Sequence, residues 1–598
     1  MLGLEEFQIL YRFFQKSGGE HDTQRSLAQA LSVSLGKTNQ LINGLLEKRL
    51  ILVNEAGKYE ITADGMEALE PYRVQNAIIM AAGMSSRFAP LSYEKPKGLL
   101  KVKGEVLIER EIRQLKEAGI QDITIVVGYM QEKFFYLEDK FGVKIVVNED
   151  YYQYNNTSTL IRVLDRLSNT FICSSDNYFV DNVFEPYVYR SYYAAVYAPG
   201  DTDEYCIECD GKGKIKQVVS GGRASWFMMG HVYFDRFFSE AFGQLLAREY
   251  KNPEVREHYW EDLYIRHIRN LDMYIRKYDA DKVLEFDSLD ELREFDAEYI
   301  NNADSKILTN ISQVLGCETG EIVNIKVIKT GMTNTSFQFQ VGEQYYVYRH
   351  PQKGSRTHIN RKSEAASSEM AAKLHLDDSY LYMDSKDGWR ISHYIHDTHT
   401  MDYHNETEVS AALSMIRTLH EQQLSSEYEF NIWEKTSHYY RELQESGYDD
   451  FDDFKKLHEL VASVYERTEQ DAFPKCLCHC TCQAEHFLVD DENRMYLVDW
   501  EYSGNDDPAS DFGTFICWSD YSNTEVLRIL EEYLEHTPNR TEQGHYFGYV
   551  SITAYYWYLW TLYQEMNGNH LGKHLYSWYQ YAKTYASYAL QCYEREAL

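Results

Sequence analysis

One stretch restricts the fold more than any other. N-A-I-I-M-A-A-G is an apolar run without helical spacing that closes on a glycine at residue 83. A short run of that kind reads as a buried strand entering a tight turn. It continues as A-A-G-M-S-S-R-F-A-P-L and then K-P-K-G-L-L-K-V-K-G. Downstream, Ile112 to Gly119 reads as a helix, I-T-I-V-V-G-Y as a second strand and K-I-V-V-N as a third. Strands alternating with helices predict a mostly parallel sheet covered by helices on both faces. This rhythm begins after Pro71-Tyr72-Arg73 and persists to about residue 300.

The turn after the first strand carries chemistry. A glycine there lets backbone N–H groups of Ala82, Gly83, Met84 and Ser85 approach a triphosphate closely, and Arg87 can neutralise its charge. Lys97 lies behind Pro96, which stiffens its loop, and can reach the α- or β-phosphate. The two boxes, at this interval and followed by G-E-V-L-I-E-R, resemble the sugar-nucleotide pyrophosphorylase superfamily. The resemblance implies a Rossmann-like nucleotidyltransferase sandwich in which Arg87 and Lys97 bind nucleoside triphosphate and stabilise departing pyrophosphate.

Two further segments, Y-Y-Q-Y-N-N-T-S-T-L and I-C-S-S-D-N-Y-F, are similar to the bacterial phosphocholine cytidylyltransferases. That similarity implies CTP and phosphocholine as substrates, CDP-choline and pyrophosphate as products, and Mg²⁺ as cofactor. It puts Asp176 on the metal, with a second carboxylate from Trp260-Glu261-Asp262, of which Asp262 is favoured. A trimethylammonium group needs an aromatic wall, because it donates no hydrogen bond. Tyr205 and Trp260 stand where the similarity places that wall, with Tyr151, Tyr152 and Trp226 as further candidates. Another phosphate or phosphonate monoester, such as ethanolamine phosphate or aminoethylphosphonate, is the alternative acceptor. A sugar phosphate would call for hydroxyl-binding polar groups instead.

A chain of 598 residues exceeds one core, so several domains are expected. Residues 1–74 read as a helical unit with two helices joined by a short turn, then I-L-V-N-E-A-G-K-Y-E-I-T as a hairpin. This resembles the winged helix-turn-helix of MarR-type regulators, which would put Ser34, Lys37, Thr38 and Asn39 at the entrance of a DNA-reading helix. Charge weighs against DNA: the segment has eight Lys and Arg and ten Asp and Glu, whereas DNA-binding modules are basic. Docking, dimerisation or regulation is the expected role, and a metabolite-sensing DNA-binding regulator is the rival from a different class. The whole chain sets 60 Lys and Arg against 93 Asp and Glu, a net charge of −33. That excludes non-specific attachment to nucleic acid or anionic lipid. With M-L-G-L-E-E-F at the start and no long apolar segment, a cytoplasmic protein without membrane insertion is expected.

From residue 303 to 598 a second rhythm begins. I-V-N-I-K-V-I, S-F-Q-F-Q-V and Q-Y-Y-V-Y-R are hairpin strands, and a long, mostly helical stretch follows. G-M-T-N-T-S-F, Y-V-Y-R-H-P-Q-K-G-S, I-N-R-K-S-E and Y-L-V-D-W-E-Y-S-G-N-D-D-P-A-S-D-F-G resemble bacterial choline kinases of the aminoglycoside-phosphotransferase superfamily. The chain is therefore multidomain α/β and α+β: residues 1–74, a nucleotidyltransferase at 75–302, and a two-lobed protein-kinase-like domain at 303–598. The resemblance implies that the turn from Gly331 to Thr335 covers phosphates, that Arg349 pairs with Glu364 and contacts phosphate, and that Asp499, with Glu501 beside it, coordinates Mg²⁺. Trp518, Trp557 and Trp560 would frame a choline pocket or pack the helical lobe.

One box departs from that family. After His479, an Asp should accept the substrate hydroxyl proton, and five residues later an Asn should hold metal. Thr481 and His486 stand at those positions. Threonine offers no carboxylate base, and histidine suits softer metals than Mg²⁺. Weak or absent phosphotransfer is expected; choline and ATP are the ligands if the domain works, with Glu485 or Glu501 as substitute groups. The same loop crowds Cys476, Cys478, Cys480 and Cys482 together. Alternation by two would set four thiols on one face of a strand, a spacing that is poor for zinc.

Overall fold

The computed structural model describes residues 1–16, 22–301, 304–330, 334–351, 359–568 and 572–594. The chain forms two compact units, Met1–Ser312 with Glu318–Gly320, and Gln313–Cys317 with Glu321–Leu598.

The first unit opens with helices Leu4–Gln15, Gln24–Ala30 and Leu35–Glu47, the hairpin Ile51–Val53/Tyr59–Ile61, and a further helix, Ala63–Leu69. That last helix is not in the sequence reading, which ended the segment on the hairpin. Thr23 and Ser34 start their helices by accepting the N–H groups of Ser26 and Lys37, satisfying donors that a helix leaves orphaned. Thr38, expected at a DNA-facing entrance, is buried and donates to the Ser34 carbonyl at 3.1 Å. Leu27, Ile42 and Leu45 share one core with Phe7, Leu10, Tyr72 and Tyr187. Tyr187 belongs to the following segment, so the N-terminal helices are packed onto it.

The sheet of this unit has seven strands in the order Tyr274–Tyr278, Tyr192–Cys209, Ile215–Phe234, Thr170–Ser174, Asn76–Ala81, Asp122–Val127, Lys144–Val147. Ile215–Phe234 runs antiparallel to both its neighbours, and the other pairings are parallel. Ile78, Ile79, Ile125 and Val126 are wholly buried, as central strands covered on both faces require. Asn76–Ala81 and Thr170–Ser174 are adjacent and parallel, with Met80 opposite Ser174. Their carboxyl ends therefore deliver the Ala82 turn and Asp176 to the same edge, where open α/β sheets bind ligands.

The second unit begins with a five-stranded antiparallel sheet, ordered Ile322–Thr330, Asn334–Val341, Gln344–Pro351, Arg390–His393, Tyr380–Met383. Helix Arg361–Lys373 lies between its third and fourth strands in sequence. Helices dominate afterwards, the longest being Arg540–Met566 and Leu575–Glu594. Residues 331–333 of the expected phosphate-covering turn, and 352–355 of the box after Arg349, lie outside the described residues. Trp557 packs between Trp518 and Trp560, at 5.5 and 5.4 Å.

The four thiols do not share a strand face. The strand stops at Cys478, and Cys480 takes a left-handed φ of 66°, which breaks the alternation. All four are buried, and burial pushes the thiols of Cys478, Cys480 and Cys482 well above their ordinary pKa. His420, Cys476 and Cys478 bring ligand atoms within 4.8 Å of one another. Yet both His420 nitrogens are engaged, by Tyr533 at 2.7 Å and Asp511 at 3.0 Å. Among the described residues, no helix is long and apolar enough to cross a membrane.

Candidate active site

A cavity of about 420 Å³ opens at the carboxyl edge of the first unit's sheet. Ala82, Gly83, Met84 and Ser85 form one wall, and Lys97 and Asp176 stand in it together. Ser85 holds a left-handed φ of 47°, which turns the chain out of the strand. Glycine is required at 98: a Cβ there would lie 2.8 Å from the Ser175 carbonyl oxygen. That close approach seats the Lys97–Leu99 turn against the loop that carries Asp176.

Lys97 is buried, and its Nζ lies 3.0 Å from Asp176 Oδ2 and 3.4 Å from Glu285 Oε1. Burial opposes the ammonium charge, but Asp176 and Glu285 outweigh it and hold the Lys97 pKa above its ordinary value. Burial likewise opposes the Asp176 charge, and Lys97 with the Ser174 hydroxyl holds its carboxyl below the usual range. Glu285 is the odd member: burial and the Asp176 charge push it up to about 7, against the pull of Lys97. Asp287 adds negative field to both Lys97 and Glu285.

Glu285 was not legible in the sequence. It reaches the site because Val283–Glu285 pairs with Asn177–Phe179, setting Glu285 opposite Asn177, next to Asp176. The carboxylate beside Asp176 is thus Glu285. Asp262, the expected second metal ligand, is instead part of a helix start: it accepts from the Tyr259 N–H at 3.0 Å and the Tyr205 hydroxyl at 2.8 Å. Glu261 is buried, takes bonds from Asn156 and Tyr193 at 3.1 and 3.0 Å, and is pushed up to about 7 chiefly by burial.

The aromatic expectation is corrected at Trp260. Its ring is 0% exposed, stacked on Tyr193 at 5.8 Å and edged by Phe234 and Phe242. The residue before it, Tyr259, lines the cavity with Tyr151 and Tyr154. Tyr152 is exposed, Trp226 packs on Tyr197 under Lys277, and Arg87 is exposed within the electrostatic reach of Glu204.

In the second unit, Arg349 is bonded to Glu364 and lies 3.4 Å from Asp499. Arg361 bonds the other Glu364 oxygen at 2.7 Å and approaches Glu501 at 3.6 Å. Burial and Asp499 push Glu501 up to about 7. His479 is buried, lowered to about 4 by that burial and by His486, and its ring contacts the Val498 carbonyl at 3.0 Å and the Thr481 hydroxyl at 3.2 Å. A neutral ring that donates to Val498 accepts from Thr481, so the threonine hydroxyl is spent as a donor. The expected grouping of Arg349, Glu364, His479, Asp499 and Glu501 is assembled without a proton-accepting carboxylate at 481.

A mostly parallel sheet with a glycine turn, a buried lysine and a carboxylate at its carboxyl edge suits nucleotidyl transfer. Residues 77–226 match the MobA-like NTP transferase domain, and residues 324–544 the phosphotransferase enzyme family. A choline-phosphate cytidylyltransferase of Streptococcus pneumoniae is 33% identical over 37% of this chain and 96% of its own length. A 2-aminoethylphosphonate cytidylyltransferase of Lancefieldella rimae is 36% identical over 38% of this chain and 93% of its own. A solved choline kinase of Streptococcus pneumoniae covers 47% of this chain and 97% of its own, at 24% identity and a TM-score of 0.40. The chain belongs to the cytidylyltransferase family, and its second half carries a match to the phosphotransferase enzyme family.

Proposed function

We propose that the first unit transfers a cytidylyl group from CTP to phosphocholine, forming CDP-choline and releasing pyrophosphate. The observation that carries this reading is Lys97, buried against Asp176 and Glu285 beside the Ala82–Ser85 turn, in a segment of cytidylyltransferase relatives. An oxygen of the substrate phosphate bonds to the α-phosphorus while the bond to the α,β-bridging oxygen breaks, and pyrophosphate carries away that electron pair. A phosphate monoester is already anionic near neutral pH, so no residue need remove a proton. The turn offers N–H groups to the phosphates, and Lys97 offsets charge building on the leaving side. Arg87, exposed at the next turn, is the candidate second cation.

Asp176 and Glu285, with Asp287, suit Mg²⁺: they are oxygen donors, and three carboxylates act on the one Lys97 ammonium. When bound there, Mg²⁺ supplies Lewis-acid neutralisation at the phosphates. Tyr259, Tyr151 and Tyr154 give the cavity aromatic surface for a quaternary cation. Aminoethylphosphonate is the second reading for the acceptor, favoured by the 36%-identical relative.

Thr481, held as a donor to His479, supports weak or absent phosphotransfer from choline-kinase-like chemistry. The N-terminal helices and hairpin are read as a winged helix that serves docking rather than DNA. Ten free thiols accord with a reducing, cytoplasmic setting. The test is pyrophosphate release from CTP and Mg²⁺ with phosphocholine, aminoethylphosphonate and ethanolamine phosphate in parallel. Release with none of the three sinks the reading, and release with aminoethylphosphonate alone selects the second. For the other half, choline turnover with ATP at ordinary choline-kinase rates would restore a bifunctional enzyme.

A further inference from the structure

Glu285 reaches the cavity on a pair of strands too short to hold it there alone. Asn177–Phe179 and Val283–Glu285 form a sheet of two strands, three residues each. A ladder that small is marginal without further support. Its register sets Glu285 opposite Asn177, whose amide lies 3.5 Å from Glu285 Oε2, while Lys97 lies 3.4 Å from Oε1. Opening of this pair would carry Glu285 away from Lys97.

The support comes from helix Leu107–Glu117. The Val180 N–H donates to the Lys282 carbonyl at 3.1 Å. The alternation of an antiparallel pair then turns the Phe179 carbonyl away from Val283. Phe179 is buried, so that carbonyl needs a donor from the protein. It has two, Arg110 Nε at 3.0 Å and Gln114 Nε2 at 3.1 Å. Arg110 Nη2 donates to the next carbonyl, Val180, at 2.8 Å. Nη1 bonds Glu105, and the guanidinium lies 4.7 Å from the centre of the Tyr178 ring. Arg110 thus spends its rigid fork on the backbone of one strand. Gln114 is buried, and its Oε1 has no hydrogen-bond partner among the described residues.

We infer that Arg110 and Gln114 are positioning residues for Glu285, donating to the open edge of Asn177–Phe179 where a third strand would otherwise pair. Neither lines the cavity. Their effect on the reaction runs through Glu285 and rests on the cytidylyl transfer proposed above; the locking of the strands does not.

Hydrogen–deuterium exchange of the full chain, read by mass spectrometry, tests the lock. In Arg110→Met, residues 177–180 and 283–285 should exchange about 10-fold faster or more, as loss of hydrogen bonds from a charged donor allows. The central strand Asp122–Val127 should exchange as in wild type. Glu105→Gln removes the ion pair of Arg110 but leaves the carbonyls their donors, so it should change neither segment. In pyrophosphate release, Arg110→Met should raise the Mg²⁺ concentration for half-maximal rate about 10-fold. Arg110→Met/Glu285→Gln should match Glu285→Gln alone. Unchanged exchange in Arg110→Met overturns the inference, as do equally fast exchange in Glu105→Gln and additive Mg²⁺ shifts in the double variant. If the wild type releases no pyrophosphate with any acceptor, the proposed reaction fails, and the exchange rates alone uphold or end the lock. If circular dichroism finds Arg110→Met unfolded, Gln114→Met, which removes one donor and the unpartnered oxygen, takes its place with the same outcomes.

Discussion

Lys97 Nζ stands 3.0 Å from Asp176 Oδ2 inside a buried pair, so the cation that serves phosphate and the carboxylate that suits metal neutralise each other before substrate arrives. On the proposed reading, ligand binding would exchange partners: phosphate would take the lysine and release the carboxylate. Lys97→Met should lower turnover by about 10²–10³-fold, the cost of removing one well-placed donor. Pyrophosphate release against CTP concentration checks it, and a loss confined to KM would show that the lysine only binds.

Glu285 is the carboxylate that brings charge at this site to excess. Glu285→Gln removes it while keeping the shape, so the Mg²⁺ concentration for half-maximal rate should rise about 10–100-fold, as for other partners of metal ligands. Asp262→Asn should leave that concentration unchanged, because its oxygens serve Tyr259 and Tyr205. Equal Mg²⁺ shifts in both variants would return Asp262 to the metal.

Gly98 packs against Ser175 with no room for a methyl group. Gly98→Ala must push the Lys97 turn away from Asp176, with an overpacking cost of about 1–3 kcal/mol. Turnover should fall more than stability does. Gly211→Ala, where nothing lies within 4 Å of the added Cβ and φ is not left-handed, controls for the added methyl group alone. Thermal unfolding with steady-state rates on both variants separates the two effects.

The sequence revealed what is contiguous and concealed what is long-range. Ala82–Ser85 and Asp176 follow strands, the parallel register of Met80 with Ser174 brings them together, and the glycine at 98 seats Lys97 beside them. Glu285 lies more than a hundred residues from Asp176 and arrives through a three-residue strand pairing that leaves no periodic signature. Trp260 and Tyr259 were exchanged by one step of helix phase, since the N-terminal residue of a helix and the one before it face opposite surroundings. Thr481 and His486 were visible as departures, but the ring contacts that fix them depend on Gln483, Val498 and Asp499, which meet only in the folded cleft.

His545 gives the second unit a pH dependence. Its two ring nitrogens lie 2.9 Å from Asp471 and 3.0 Å from Asp507, and these partners, against burial, raise its pKa from 6.5 to about 9. A pKa raised on folding adds stability that is complete below the unfolded value near 6.5 and is lost as pH climbs through about 9. The contribution is on the order of 3 kcal/mol. Urea unfolding followed by tryptophan fluorescence reports mainly on this unit, which holds all the tryptophans except Trp226 and Trp260. The midpoint should fall between pH 7 and pH 10, and His545→Gln should flatten that fall. A variant that retains the full slope would remove His545 as its cause.

Trp260 and Tyr259 separate core from ligand surface within two adjacent residues. Trp260→Ala empties a fully buried site and should cost about 3–5 kcal/mol, with activity lost through unfolding. Tyr259 is 42% exposed and lines the cavity. Tyr259→Ala should leave unfolding within about 0.5 kcal/mol of wild type, as exposed substitutions do. It should raise KM for phosphocholine by about 2–30-fold, the range of a cation–π contact of 0.5–2 kcal/mol. KM for CTP should stay put, because the loss falls on the ring that faces the acceptor. Tyr259→Phe, which keeps the π face, should restore the phosphocholine KM. If phenylalanine fails where tyrosine works, the hydroxyl and not the ring is what the acceptor meets, and a primary ammonium becomes the better fit to this cavity than a trimethylated one.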